Sequence, residues 1–405
     1  MWFKRTMLAL SLGMATAIGA QAACPFENKV PLRSLTAGFE AWKAVTGAMA
    51  ECGNFRAELD QEFRTKQPAA FAAKPALYHL GGVANETMVP LVNAQTIRPL
   101  DDLVKKYGQH LTPNQLIKID GKIMAIAMMV NAQHLMYRKD ILGNLGIAPP
   151  TSYDEMLAAA EKIKQSGAVR YPLGATMRTG WNLALDFVNM YLGYGGVLFA
   201  ADNKPAVNGE AGVKTLETMK KLTAYMDPEY LTGDSTYVQQ QFQKGRIAMA
   251  NFWASRAGAL ENPAESEVVG KVVMAAAPRA MAGGKSATTL WWDGIVIARN
   301  ITDEEADAAF RLAMHGLSRG VVEQNNSAAV WLIEGYKPNA LAQGVIDSLT
   351  NGAPAFPAST QMGFMHAAIG NNIADFLNNR VSAQEVLAKV EAAYLASAKE
   401  AGLVK

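Results

Sequence analysis

Residues 286–300 read Ser-Ala-Thr-Thr-Leu-Trp-Trp-Asp-Gly-Ile-Val-Ile-Ala-Arg-Asn. The run 295–298, Ile-Val-Ile-Ala, is short, β-branched and wholly apolar, which suits a strand covered on both faces. Directly before it stand Trp291, Trp292, Asp293 and Gly294. Two indoles and a carboxylate at the end of a buried strand offer a flat apolar face and an acceptor for hydroxyl groups. The glycine lets a ligand approach the backbone. Thr302 and Glu305 have the spacing of a capping box, so a helix is expected over 302–317. The stretch therefore reads as a strand linking two domains, with a small polar ligand beside Trp292 and Asp293. The alternative is that both indoles are ordinary core, since tryptophan is largely buried wherever it sits.

The whole chain is compatible with that reading. Its 405 residues are 50% hydrophobic and 18% charged, enough for two domains with their own cores. Residues 1–22 stand apart. Lys4 and Arg5 give a positive start, 7–20 an apolar run, and Ala20-Gln21-Ala22 a small-x-small cleavage site, the pattern of a secretory signal peptide. Cys24 follows closely, so a lipoprotein anchor is the alternative. It ranks lower because Gln21 stands where lipoprotein signals carry an aliphatic residue. No later stretch has the roughly 18 apolar residues of a membrane span. An exported, periplasmic protein is expected. Without Lys4 and Arg5 the 38 basic residues balance the 36 acidic ones, which argues against nucleic acid or an anionic membrane surface as a partner. The two cysteines, Cys24 and Cys52, should pair in an oxidising compartment. Their bridge would staple the N-terminal segment to the end of the first helix and contribute roughly 3–4 kcal/mol in the chain-entropy model.

Further along, strands expected at 30–35, 55–59 and 77–80 alternate with helices at 41–49, 60–73 and 85–97, the pattern of a parallel sheet flanked by helices. Asp120-Gly121 reads as a hairpin turn between 116–119 and 123–130. The second of these strands is almost wholly apolar and turns polar at Asn131 and Gln133. Ser152 with Glu155, and Ser382 with Glu385, repeat the capping-box spacing ahead of helices at 156–163 and up to about 401. Helices are also expected at 179–192, 210–226 and 237–244, and strands at 247–251 and 268–276.

No enzyme signature is present. The chain has no Gly-rich phosphate loop, no His-Glu-x-x-His and no Gly-x-Ser-x-Gly. Its five histidines (His79, His110, His134, His315, His366) lack metal-ligand spacing. A glycosidase stays open, because its two carboxylates need not be adjacent in sequence. What stands out is the placement of indoles and amides. Trp253 and Trp292 fall at expected strand ends, Asn131 and Gln133 at the polar end of an apolar strand, and Asn85 just past another; Trp181 opens a helix. Ligands of open sheets bind beyond strand ends. A cleft so lined suits a neutral polyhydroxylated ligand. Its C–H faces would stack on the rings while Asp293, Asn131 and Arg178 bond its hydroxyls.

Three blocks carry a family resemblance: 91–102, Leu-Val-Asn-Ala-Gln-Thr-Ile-Arg-Pro-Leu-Asp-Asp; Asp120-Gly121-Lys122 through Tyr137-Arg138-Lys139-Asp140 to Pro149-Pro150-Thr151; and Phe242 with Gly245, Met249 and Trp253. In order and spacing they resemble the family 1 extracellular solute-binding proteins, the carbohydrate-capturing components of bacterial ABC importers, over nearly the whole mature chain. The resemblance implies an α/β fold of two lobes, each a mostly parallel sheet flanked by helices, joined by hinge strands and closing on ligand. The lobes would be 23–130 with 291–330, and 131–290 with 331–405. It implies a monomer without cofactor or catalysis, whose partners are a small-molecule carbohydrate and a membrane permease. By matching position Phe39, Asn85, Asn131 and Trp253 fall at ligand-contacting places and Trp292-Asp293 on the second hinge. Arg178, Trp181 and Gly294 complete the candidate site. One departure is Lys74-Pro75-Ala76-Leu77, where relatives carry Gly-x-Pro-Asp; His79 stands nearby instead. The alternative ligands are a phosphorylated polyol, which Arg178 and Arg256 would serve, or an amine.

Overall fold

The computed structural model describes residues 24–281 and 283–404. The expected signal peptide, 1–22, lies outside them. Among the described residues eleven strands run in chain order: β1 Leu32–Thr36, β2 Phe55–Leu59, β3 Leu80–Ala84, β4 Leu116–Ile119, β5 Lys122–Asn131, β6 Gln133–Arg138, β7 Tyr171–Gly174, β8 Ile247–Trp253, β9 Val272–Ala275, β10 Trp291–Ile297 and β11 Val330–Trp331. They form two sheets. One has the order β11-β5-β10-β3-β1-β2, with β4 also paired to β5. The other has the order β7-β8-β6-β9.

Each sheet supports its own core. Leu35, Trp42, Phe71, Leu91, Ile126, Val296 and Phe310 belong to the first. Leu135, Phe187, Phe242, Phe252, Met365 and Tyr394 belong to the second. The chain passes between sheets at Ala132, where β5 ends at Asn131 and β6 starts at Gln133. The polar break in the apolar run is therefore a crossing point. A second crossing is β10, whose Trp291 packs into the second core while Ile295, Val296 and Ile297 pack into the first. A small apolar cluster of Ala132, Ala254 and Val345, with Val130, Leu290 and Val330 against it, fills the space at these crossings.

Two lobes of α/β structure are thus present, but the expectation of mostly parallel sheets is corrected. Only β1 with β2 and β3, and β7 with β8, run parallel. β5 leaves β4 through the two-residue turn at Asp120-Gly121, both left-handed at φ 49° and 78°, and such a turn forces antiparallel pairing. β10 enters antiparallel between β3 and β5, and β6 lies antiparallel to both β8 and β9.

Local expectations fared unevenly. Thr302 and Glu305, and Ser382 and Glu385, make full capping boxes. Ser152 caps the Glu155 amide, but the Glu155 carboxylate turns back to Thr151. The strand expected at 77–80 lies at Leu80–Ala84, and Leu77 is 55% exposed. Gly81 and Gly82, which follow the expected strand in sequence, sit inside the observed one because the helices press close. A Cβ on Gly81 would come within 2.8 Å of the Phe71 ring, and one on Gly82 within 2.7 Å of the Trp42 ring. The helix expected at 85–97 shrinks to Met88–Asn93. β7 was not anticipated. Cys24 and Cys52 form the expected disulfide, Cα atoms 5.1 Å apart, just beyond helix Glu40–Ala50. Among the described residues no helix is long and apolar enough to cross a membrane.

Candidate functional site

Between the two cores lies a cleft of about 520 Å³ counted to its open mouth. The first lobe supplies one wall from loops at the C-terminal ends of its parallel strands. Ala37 and Phe39 follow β1, Gln61, Phe63 and Arg64 follow β2, and Ala84 and Thr87 end and follow β3. This is where such sheets place ligands. The second lobe supplies Trp181 at the start of helix Trp181–Gly193, Trp253, Ser255 and Arg256 at and after the end of β8, and Ser235 opening helix Ser235–Gln243. Asn131, Trp291 and Asp293 come from the crossing strands.

The indoles form one aromatic block. Trp181 and Trp253 stack at 6.4 Å between ring centres with planes 20° apart. Trp291 meets both edge-on, at 5.6 and 5.8 Å, and packs on Phe356 at 4.1 Å. A buried chain of hydrogen bonds fixes Trp291. Its Nε1 donates to Thr289 Oγ1 at 2.9 Å, and Thr289 donates to Asn189 Oδ1 at 2.7 Å. Asn189 Nδ2 donates to Gln133 Oε1 at 2.8 Å, and Gln133 Nε2 donates to Asp186 at 2.9 Å and Thr176 at 3.1 Å. Gln133 thus supports the wall from behind. Burial pushes the Asp186 carboxyl up to about 7.

The polar groups meet in the cleft. Asp293 is 8% exposed, and burial pushes its carboxyl up to about 7 against the pull of Arg64 and Asn131. The Arg64 guanidinium lies 4.0 Å over the Trp181 ring, a cation–π contact between lobes. Its Nε is buried without a partner. Burial lowers its pKa, opposed by Glu86 and Asp293. Arg256, 6% exposed, lies over the Phe39 ring, donates to Gln239 Oε1 at 3.1 Å, and is lowered by burial to about 10. Asn131 is held by Ser255, whose amide donates to Oδ1 and whose Oγ accepts from Nδ2, both at 3.2 Å.

Of the residues expected at the site, Phe39, Asn131, Trp181, Trp253 and Asp293 line the cleft. Four do not. In a strand only alternate side chains share a face, so Trp291, and not Trp292, accompanies Asp293. Trp292 packs against the first core. Gly294 is required by the neighbouring strand: a Cβ there would lie 2.3 Å from the Ile126 carbonyl oxygen, so β5 and not a ligand comes close. Asn85 is buried beside the cleft, one residue past Ala84. Arg178 stands at the rim, ion-paired across the lobes to Glu62 and within its own lobe to Asp234 at 3.4 Å. Trp181 Nε1 donates to Glu86 at 3.0 Å and Asn93 Nδ2 to Thr360 at 2.7 Å, so further bonds join the walls. Sequence reasoning missed Arg64, Gln61, Phe63, Thr87, Ser255 and Trp291, and weighed Arg256 only for a phosphate. Strand alternation counted back from Asp293 would have found Trp291; nothing local marked Arg64. Among the described residues one group has metal-ligand proximity, Cys24, Cys52 and His315, and its sulfurs are already bonded to each other.

Two α/β lobes face each other across a cleft between crossing strands. The family described as bacterial extracellular solute-binding protein matches residues 56–313, and the chain belongs to it. A probable amino-acid ABC transporter periplasmic-binding protein of Sinorhizobium fredii is 25% identical over 183 residues, 43% of this chain and 42% of that one. The chain thus spans less than half the length of the curated relatives it matches. A solute-binding protein of Agrobacterium radiobacter solved with ribitol superposes with a TM-score of 0.79 at 22% identity, covering 91% of this chain and 98% of that one. A maltose-bound protein of T. maritima superposes at 0.77 and 18% identity, covering 90% and 98%.

Proposed function

We propose that the protein captures one small polyhydroxylated solute, a polyol or monosaccharide, between its lobes and hands it to the membrane permease of an ABC importer. The observation that carries this reading is the meeting of Asp293, Arg64 and three indoles in one cleft. A carboxyl and a guanidinium supply acceptor and donor for hydroxyls, and ring edges and faces meet C–H groups. The ribitol-bound structure of similar fold supports a polyol, and the maltose-bound one supports sugar chemistry more broadly. Capture without turnover fits the cleft, because Asp293 is the one carboxylate among its described lining residues, and glycoside hydrolysis needs two. Residues 1–22 would export the chain to the periplasm. The lobes, 23–130 with 291–330 and 131–290 with 331–405, would hinge where the chain passes between them, which it does three times.

A thermal-shift screen of the mature protein tests this. A ligand of the folded state raises the melting temperature by mass action, by about 2.7 kcal/mol of stability at a hundredfold excess over Kd. Polyols or monosaccharides should raise it. A rise with amino acids alone, or sustained product release from glycosides, would overturn the proposal.

A further inference from the structure

We infer that the solute carries a carboxylate, so that the cleft is built for a sugar acid of monosaccharide size in preference to the matching neutral polyol. This rests on the capture reading above and narrows it.

The inference comes from counting what the cleft leaves unsatisfied. A guanidinium offers five N–H donors and accepts nothing. Arg256, more than nine-tenths buried, uses one of them, on Gln239. Arg64 donates no hydrogen bond among the described residues, and its Nε is sealed from solvent. Among the described residues neither has a carboxylate at ion-pair distance, whereas Arg178 has Glu62 and Asp234, and Arg138 has Asp140. The acids within electrostatic reach are engaged elsewhere. Glu86 accepts from Trp181, Glu62 pairs with Arg178, and Glu40 pairs with Lys43. They keep both guanidiniums charged without supplying a partner.

Acceptors in the cleft are scarce. Both N–H groups aimed at Asn131 Oδ1 come from the backbone, at Ala132 and Ser255. Asp293 beside Arg64 is only partly ionised at neutral pH. Arg256, buried, and Arg64, half-buried with its Nε sealed, are forks with unused donors that a planar, two-pronged, negative acceptor completes. A carboxylate fits that description. A phosphate ester is the competing anion, since a guanidinium fork meets phosphate as well as carboxylate and helix N-termini favour dianions. Of the three helices that open on this cleft, Phe63–Ala72, Trp181–Gly193 and Ser235–Gln243, the last has its first amides taken: Asp234 accepts from the Thr236 and Tyr237 N–H groups at 2.9 and 3.0 Å. Its carboxylate also repels a dianion there.

Calorimetric titration of the mature protein with matched pairs tests the inference: gluconate against glucitol, ribonate against ribitol, galacturonate against galactose, with sn-glycerol 3-phosphate as the phosphate arm. At least one acid should bind about tenfold or more tightly than its neutral partner, the range of a charge-assisted bond. Arg64→Gln and Arg256→Gln should each shrink that preference toward equality, and Arg64→Lys should keep part of it. Neutral compounds binding as tightly as their acids would overturn the inference and leave solute capture standing. A phosphate ester binding tightest would overturn the carboxylate assignment. Binding of none of these compounds would remove both readings. The wild-type comparison needs no variant to fold.

Discussion

The two walls of the cleft are made of different material. The second-lobe wall is aromatic, and its indoles are also core: Trp253 is 8% and Trp291 3% exposed, and both pack with Phe356, Met365 and their neighbours. The opposite side is more polar: Arg64 follows β2, Asp293 lies on β10, and Arg64 Nε has no partner among the described residues, while Arg256 is the charge that the second lobe adds. The contrast separates two kinds of site residue. An indole that holds its lobe together serves the ligand as a by-product of packing. A buried charge facing a cleft serves the core badly and is explained by what it binds.

The widest separation should come from Trp253→Ala. Emptying that volume should lower unfolding free energy by roughly 3–5 kcal/mol, read by denaturant titration, and weaken solute binding as well. Intact stability with lost binding would mean the aromatic wall is as dispensable to the fold as the polar one. Next, replacing Cys24 and Cys52 together by serine should remove roughly 3–4 kcal/mol from the first lobe while affinity barely moves. A large affinity loss would show that the staple shapes the polar wall. Asp293→Asn should behave in the opposite way. Affinity should fall by roughly 10–100-fold, the loss of a hydrogen bond to a charged group, with the melting temperature held or raised.

The pH dependence of that variant sharpens the comparison. The folded Asp293 carboxyl titrates near 7, above its ordinary 3.8, so the folded state holds the proton more tightly. Its contribution is fully present below the ordinary value and is lost as pH rises through about 7. The melting temperature of Asp293→Asn minus that of wild type should therefore grow from pH 5 to pH 8. Asp186→Asn should show the same sign and a similar gain, because burial raises its carboxyl to the same value. Its effect on affinity should be the smallest of the set, since it lines a second pocket apart from the cleft and reaches the cleft only through Gln133, Asn189 and Thr289.

Much of the fold was legible because periodicity and caps are local. The hairpin at Asp120-Gly121, the helix caps at Thr302 and Ser382, and the polar break at Asn131 all signal in a few neighbouring residues. Failures came where distant packing decides. Gly81 and Gly82 fall past the expected strand in sequence, yet Phe71 and Trp42 press on them inside the observed one. Gly294 looks like a ligand contact until β5 lies against it. Trp292 was favoured over Trp291 although the period of a strand already paired Trp291 with Asp293. Arg64 reads as one charge in an exposed-looking helix, and only the closure of the lobes sets it on Trp181.

The most direct test is a calorimetric titration of the best-stabilising sugar or sugar acid into wild type and Asp293→Asn side by side, with melting temperatures recorded for both. The account predicts one solute per chain in wild type and at least tenfold weaker binding in the folded variant. Equal affinity in the two proteins, or a stoichiometry far from one, would mean that the solute sits elsewhere and that the polar wall is not what holds it.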